Sequence, residues 1–159
     1  FPEGRIRREA VEIGGKSAKP LDQELKQAGI KSDYARDMLH SKDFTTLSIP
    51  ETLNTVRLKV ADLLPGNPTT NQVYAKAKVL GLELVPAETG VRYRLKHKDQ
   101  PLNEWLFMGM KQITDRHGDP YVFELGRNDG GLWLGRYRAH PDRRWHPEDE
   151  LVFALRKSV

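Results

Sequence analysis

Hydrophobic positions change period near Gly81, and the two halves of the chain predict different elements. From Ser17, Leu21, Leu25 and Ala28 recur at i, i+4 and i+7, and Gly29 follows as a stop; this spacing predicts a helix. Ser32 or Asp33 can cap a second helix carrying Tyr34, Ala35, Met38 and Leu39, so the two form a helical hairpin. Residues 43–50, DFTTLSIP, read as an irregular connection. In 51–64 two patterns compete. Leu53, Val56, Val60, Leu63 and Leu64 fit a helix, whereas Val56, Leu58 and Val60 alternate with Arg57 and Lys59 as a strand does. Leu58 falls off the helical stripe, so the expectation is helix before Thr55 and strand after it. PGNPTT, residues 65–70, is a turn leading into a helix with Thr69 or Thr70 as N-cap, Val73, Ala77 and Leu80 inward, and Gly81 at its end.

After Gly81 the period falls to two, which predicts strands at 82–85, 91–96, 105–113, 120–127, 131–138 and 150–157. Asn128-Asp129-Gly130-Gly131 supplies the positive-φ positions of a tight hairpin, and His117-Gly118-Asp119-Pro120 is a second turn. Glu124 falls on the face opposite Tyr121, Phe123 and Leu125 and is expected to be exposed. Trp105, beside Leu106 and Phe107, is expected in the core. The fold class is therefore α+β: a helical N-terminal half packed on a mostly antiparallel sheet or small barrel in the C-terminal half. Residues 1–16 read as a lead-in arm, broken at Gly14-Gly15 and pinned by Ile6, Val11 and Ile13. Residues 17–159 read as one α+β domain, helical to about 81 and β from about 82.

Composition narrows the function classes. At 159 residues, 38% hydrophobic and 30% charged, the chain is globular and can bury a core without a covalent staple. No apolar run approaches the roughly 18 residues of a spanning helix, so no membrane partner is expected. The absence of cysteine removes disulfides, thiolate nucleophiles and Cys-ligated zinc. No signal segment opens the chain, which favours a cytoplasmic location, and a start at Phe1 rather than Met suggests a piece of something longer. The net charge is +4; residues 51–100 carry eight Lys/Arg against five Asp/Glu, while the flanking regions are nearly balanced.

Several segments, EIGGK (12–16), FTTL (44–47), YAKAKVLGLELVPAETG (74–90), KDQPLNEWLFMGMKQITD (98–115) and GLWL (131–134), resemble a family of uncharacterised bacterial hypothetical proteins. The resemblance covers nearly the whole chain from Glu12. It implies a bacterial origin and a recurring module, and it carries no activity, partner or site residue with it.

The local basic surplus lies mainly in VRYRLKHK, residues 91–98. Read as a strand, it places Arg92, Arg94, Lys96 and Lys98 on one face about 6.6 Å apart. That comb could neutralise phosphates, giving a log–log salt slope of roughly −3 to −4. It could equally be the wet side of a half-buried strand. Arg136 and Arg138 bracket Tyr137, and Arg143 and Arg144 precede Trp145; with Trp133 these could form an aromatic and cationic contact surface. Gly14-Gly15-Lys16-Ser17 ends like a phosphate-binding loop, but Ala10 stands where that motif requires its first Gly. His140, Asp142, His146 and Glu148 are a candidate metal-ligating set, although Arg143 and Arg144 between them would repel a cation. No nucleophile elbow, catalytic set or cofactor motif appears, and none is assigned. The expected function is a non-enzymatic binding module that engages nucleic acid or another acidic partner through Arg92, Arg94, Lys96, Lys98, Arg136 and Arg138. The alternatives are a metal-assisted hydrolase or nuclease using the 140–150 loop, and a carbohydrate-binding module using Trp133, Tyr137 and Trp145. The oligomeric state is left open.

Overall fold

A computed structural model describes residues 7–156 and shows a mixed α+β fold. In chain order the elements are β1 (Arg7–Ile13), α1 (Ala18–Gln27), a 3-10 turn (Asp33–Ala35) running into α2 (Arg36–Leu39), β2 (Glu51–Lys59), a 3-10 turn (Val60–Asp62), α3 (Thr70–Val79), β3 (Leu82–Glu83), α4 (Thr89–Lys96), β4 (Trp105–Met108), β5 (Ile113–Thr114), β6 (Pro120–Asn128), β7 (Gly131–Arg138) and β8 (Glu150–Leu155). The strands form one sheet in the order β1-β2-β8-β4-β6-β5, with β3 also on β8 and β7 on β6. Among the strand pairs of the described residues, β4–β8 is parallel and the others are antiparallel. Since β7 pairs with β6 from Tyr121 to Asn128, β4 and β5 share the opposite edge of β6. The sheet is open rather than closed into a barrel.

The N-terminal half is not helical as expected. Residues 7–13 of the supposed arm are β1, paired with β2 from Arg7↔Arg57 to Ile13↔Glu51. Val11 and Ile13 are buried in the core; Ile6 lies outside the described residues. β2 is a strand from Glu51 onward, so the helix expected before Thr55 is absent. Its pairing partners are β1 and β8, far away in sequence, and Thr55, Val56, Arg57 and Leu58 are all buried because both faces are covered. The expected second helix shrinks to the 3-10 turn and the four residues of α2, and the strand expected at 105–113 divides into β4 and β5.

The stretch 91–96 is the largest correction: it lies in α4, not in a strand. Thr89, Gly90, Val91, Tyr93 and Arg94 are all buried, so α4 is enclosed around most of its circumference and shows no clean 3.6-residue stripe. Two of the four basic residues in the alternation, Arg92 and Arg94, reach partners inside the protein, while Lys96 and Lys98 are exposed.

Register fixes two faces. One carries Thr55, Arg57, Phe123 and Leu125 and is covered by α4; Gly90 lies so close to Phe123 that a Cβ there would stand 2.8 Å from the ring. The other carries Val56, Phe107, Glu124 and Phe153. α3 lies against it, with Tyr74 edge-on to Phe153, and Thr70 Oγ1 accepts from Trp145 Nε1 at 2.8 Å.

Glu88 ties its own segment to two others far apart in sequence. Its fully buried carboxylate accepts from Gly14 N at 2.7 Å and Leu47 N at 2.6 Å. Arg92 lies 3.5 Å from it and donates to Gly14 O at 2.6 Å. Gly14 has φ +85°, and a Cβ would sit 2.2 Å from the Ile49 carbonyl oxygen. The glycine pair thus serves a close backbone approach, and an amide that a phosphate would need is already held by a carboxylate of the chain itself.

Candidate functional site

The residues of the expected comb disperse. Arg94 is fully buried and donates to Gln100 Oε1 at 2.6 Å, Gly126 O at 3.1 Å, Trp133 O at 3.3 Å and His97 O. Burial lowers its pKa to about 10, so the guanidinium is still charged at neutrality. Arg92 serves the Glu88 clamp. Lys96 donates to Ala10 O and lies 3.4 Å from Glu9. Lys98 is exposed. Arg136 stacks over Tyr121, 4.3 Å from the ring centroid, and faces Asp115 at 3.9 Å, while Arg138 pairs with Asp119 at 3.3 Å. A polyanion would meet no continuous cationic row here.

The 140–150 loop does not converge on an ion either. His140 faces Asp119 at 3.8 Å, Glu148 pairs with Lys59 at 2.9 Å, Asp142 is exposed, and the His146 amide donates to Asp149. Among the described residues no group of three His, Asp or Glu could hold a metal ion. Two of the expected contact aromatics are also occupied. Trp145 is buried, Tyr137 is half-buried, and both pack on Phe107 with centroids 5.2 and 4.6 Å away. Arg143 lies over the Tyr137 ring at 4.8 Å and donates to its hydroxyl.

Trp133 is different. A Cβ on Gly126 would lie 2.0 Å from its Cζ2, and one on Gly135 3.1 Å from its Cζ3. The indole therefore lies flat across two side-chain-free positions of β6 and β7, with one face on backbone and the other turned outward. Gly126 pairs with Trp105 on β4 and with Trp133 on β7, so both tryptophans stand on one sheet face, about 10 Å apart by strand spacing. Trp105 is 49% exposed, against the expectation of a core residue.

Glu124 stands two residues from Gly126 on this same face and opposite Gly135, whose missing side chain opens a cleft of about 290 Å³. The expectation about its face holds; the expected exposure does not. It is half-buried and has no hydrogen-bond or ion-pair partner among the described residues. Burial, and then the charge of Asp149, push its carboxyl from 4.5 up to about 7. The opposite rim is the segment after α1. The Lys31 amide donates to Leu132 O at 3.1 Å and its carbonyl accepts from Leu134 N at 2.8 Å, so residues 31–34 are fastened along β7. This holds Lys31, Asp33 and the 80% exposed Tyr34 at the cleft. Larger hollows lie beside α3 and at the ends of β2, β3 and β8, about 520 and 950 Å³, but neither contains a tryptophan.

The signal that could have found this site was two glycines alternating with a tryptophan on paired strands. Gly126, Trp133 and Gly135 become neighbours once the Asn128–Gly131 hairpin sets the register. No helix among the described residues is long and apolar enough to cross a membrane. No family model, no curated protein and no solved structure matches the chain.

Proposed function

We propose that this protein is a non-enzymatic carbohydrate-binding module whose sugar ring stacks on the open face of Trp133. The observation that carries the reading is the indole laid flat on Gly126 and Gly135, beside a carboxyl group with no partner of its own. A sugar offers an apolar C–H face to such a ring and hydroxyls to polar groups at its edge. Glu124, Asn128 and Lys31 supply those groups. Trp105 extends the platform to a second ring. The lining sets two acidic residues, Glu124 and Asp33, beside two basic ones, Lys31 and Arg136, so it offers hydroxyl groups both acceptors and donors without a surplus of cations for a phosphate.

The test is a glycan array followed by titration calorimetry with the soluble oligosaccharides that score. Trp133→Ala should weaken binding roughly tenfold or more, since ring stacking on an aromatic side chain is worth about 1–3 kcal/mol. An array without hits, or hits that Trp133→Ala leaves unchanged, would remove the reading.

A further inference from the structure

A second surface, on α3, is unrelated to the tryptophan cleft. A helix packed on a sheet should turn a polar face to water. α3 buries Val73 and Ala77, yet its outer side carries Ala75 and a Val79 that is 78% exposed. These residues form one wall of a groove of about 520 Å³; Leu64 and Pro65 form the other. Along α3 the groove runs about 10 Å at 1.5 Å per residue, enough for two or three side chains of a partner segment.

Charge tells what kind of partner fits. Lys76 and Arg144 line the groove, and none of its lining residues is acidic. Neither cation has an ion-pair partner among the described residues. Arg144 is also held in place: its Nη1 donates to Asn67 O at 2.9 Å, and its backbone bridges to Thr69. A fixed guanidinium loses less freedom on binding a carboxylate than a free one. A second copy of this groove would bring like charges together. A nucleic acid would find cations but no aromatic ring on which to stack a base.

We propose that the groove between α3 and residues 64–68 docks an acidic segment of a partner polypeptide, whose apolar side chains cover Val79, Ala75 and Leu64 while its carboxylates meet Lys76 and Arg144.

Selection from a displayed library of random dodecapeptides on the whole chain tests this. The expected winners combine apolar residues with Asp or Glu, lose affinity by about tenfold or more with Lys76→Glu/Arg144→Glu, and weaken as salt rises. Val79→Lys should also abolish them. All three substitutions are at solvent-accessible positions, so unchanged thermal unfolding is the control for folding. Trp133→Ala should leave peptide binding intact, which separates this groove from the sugar reading. No enrichment, enrichment of basic peptides, or winners that survive the double charge reversal would each overturn the proposal. So would oligo-dT binding that the double charge reversal abolishes.

Discussion

Replacing Glu124 with Gln should stabilise the protein at alkaline pH and leave it unchanged in acid. The folded-state pKa is about 7 against 4.5 for the free group, so the folded protein keeps this proton through an interval in which the unfolded chain has released it. Stability from this residue is fully present below about pH 4.5. It falls as pH rises to about 7 and stays flat above that. An interval of roughly 2.5 pH units, at about 1.4 kcal/mol each, gives about 3 kcal/mol lost by pH 8. Gln keeps the shape and cannot ionise, so Glu124→Gln should gain up to that amount at pH 8 and nothing at pH 4. At roughly 2–4 °C per kcal/mol for a chain of this size, the melting temperature should rise by about 6–12 °C at pH 8. Calorimetry of both proteins across pH 4–8 isolates the effect, because the two differ only in whether residue 124 can ionise. Equal melting at pH 8, or a variant less stable there than the parent, would refute the desolvated-carboxyl argument.

The other two predictions concern packing and the clamp. Gly126→Ala should lift Trp133 off the sheet, because its Cβ would stand 2.0 Å from the indole. The expected outcome is a shift in tryptophan emission, loss of sugar affinity comparable to Trp133→Ala, and a cost of about 1–3 kcal/mol; unchanged emission would contradict the flat-ring geometry. Glu88→Ala leaves Gly14 N and Leu47 N without their acceptor and Arg92 without its counter-charge. Urea unfolding should show a loss of about 3–5 kcal/mol, and a loss below about 1 kcal/mol would mean the clamp is not structural.

What was legible in the sequence was what local chemistry decides. α3 begins where Thr69 accepts from Gln72 N and Gln72 answers to Thr69 N, a reciprocal cap written in four residues. The β6–β7 turn is equally local, with Asn128 Oδ1 accepting from Gly130 N at 2.9 Å. The strand character of β2 comes from partners at 7–13 and 150–154, and no window around Thr55 contains them. The helical character of α4 is hidden in the sequence for a related reason. Period analysis assumes one wet side, and a helix enclosed by sheet and loops has almost none. Trp105 looked like core because its neighbours Leu106 and Phe107 are core; only cross-strand pairing reveals that its own side faces a glycine.

Buried charge separates architecture from site in this fold. Arg94 sits inside the protein and donates from Nη1 and Nη2 to carbonyl oxygens and Gln100, while its Nε has no partner among the described residues. Arg57 sits inside and lies 2.8 and 2.7 Å from Glu104 and Glu150. Glu88 sits inside and holds two amides. In each case the cost of desolvation is offset by fixed partners, and the side chain fastens segments far apart in sequence. Glu124 incurs the same kind of cost without such a partner, on a face where two glycines and a flat indole leave room beside it. A chain that invested three buried ions in holding its loops would gain stability by placing a neutral residue at 124. Under the proposed function, a hydroxyl-bearing ring on Trp133 would complete the hydrogen bonds that no described residue of the chain supplies to this carboxyl group.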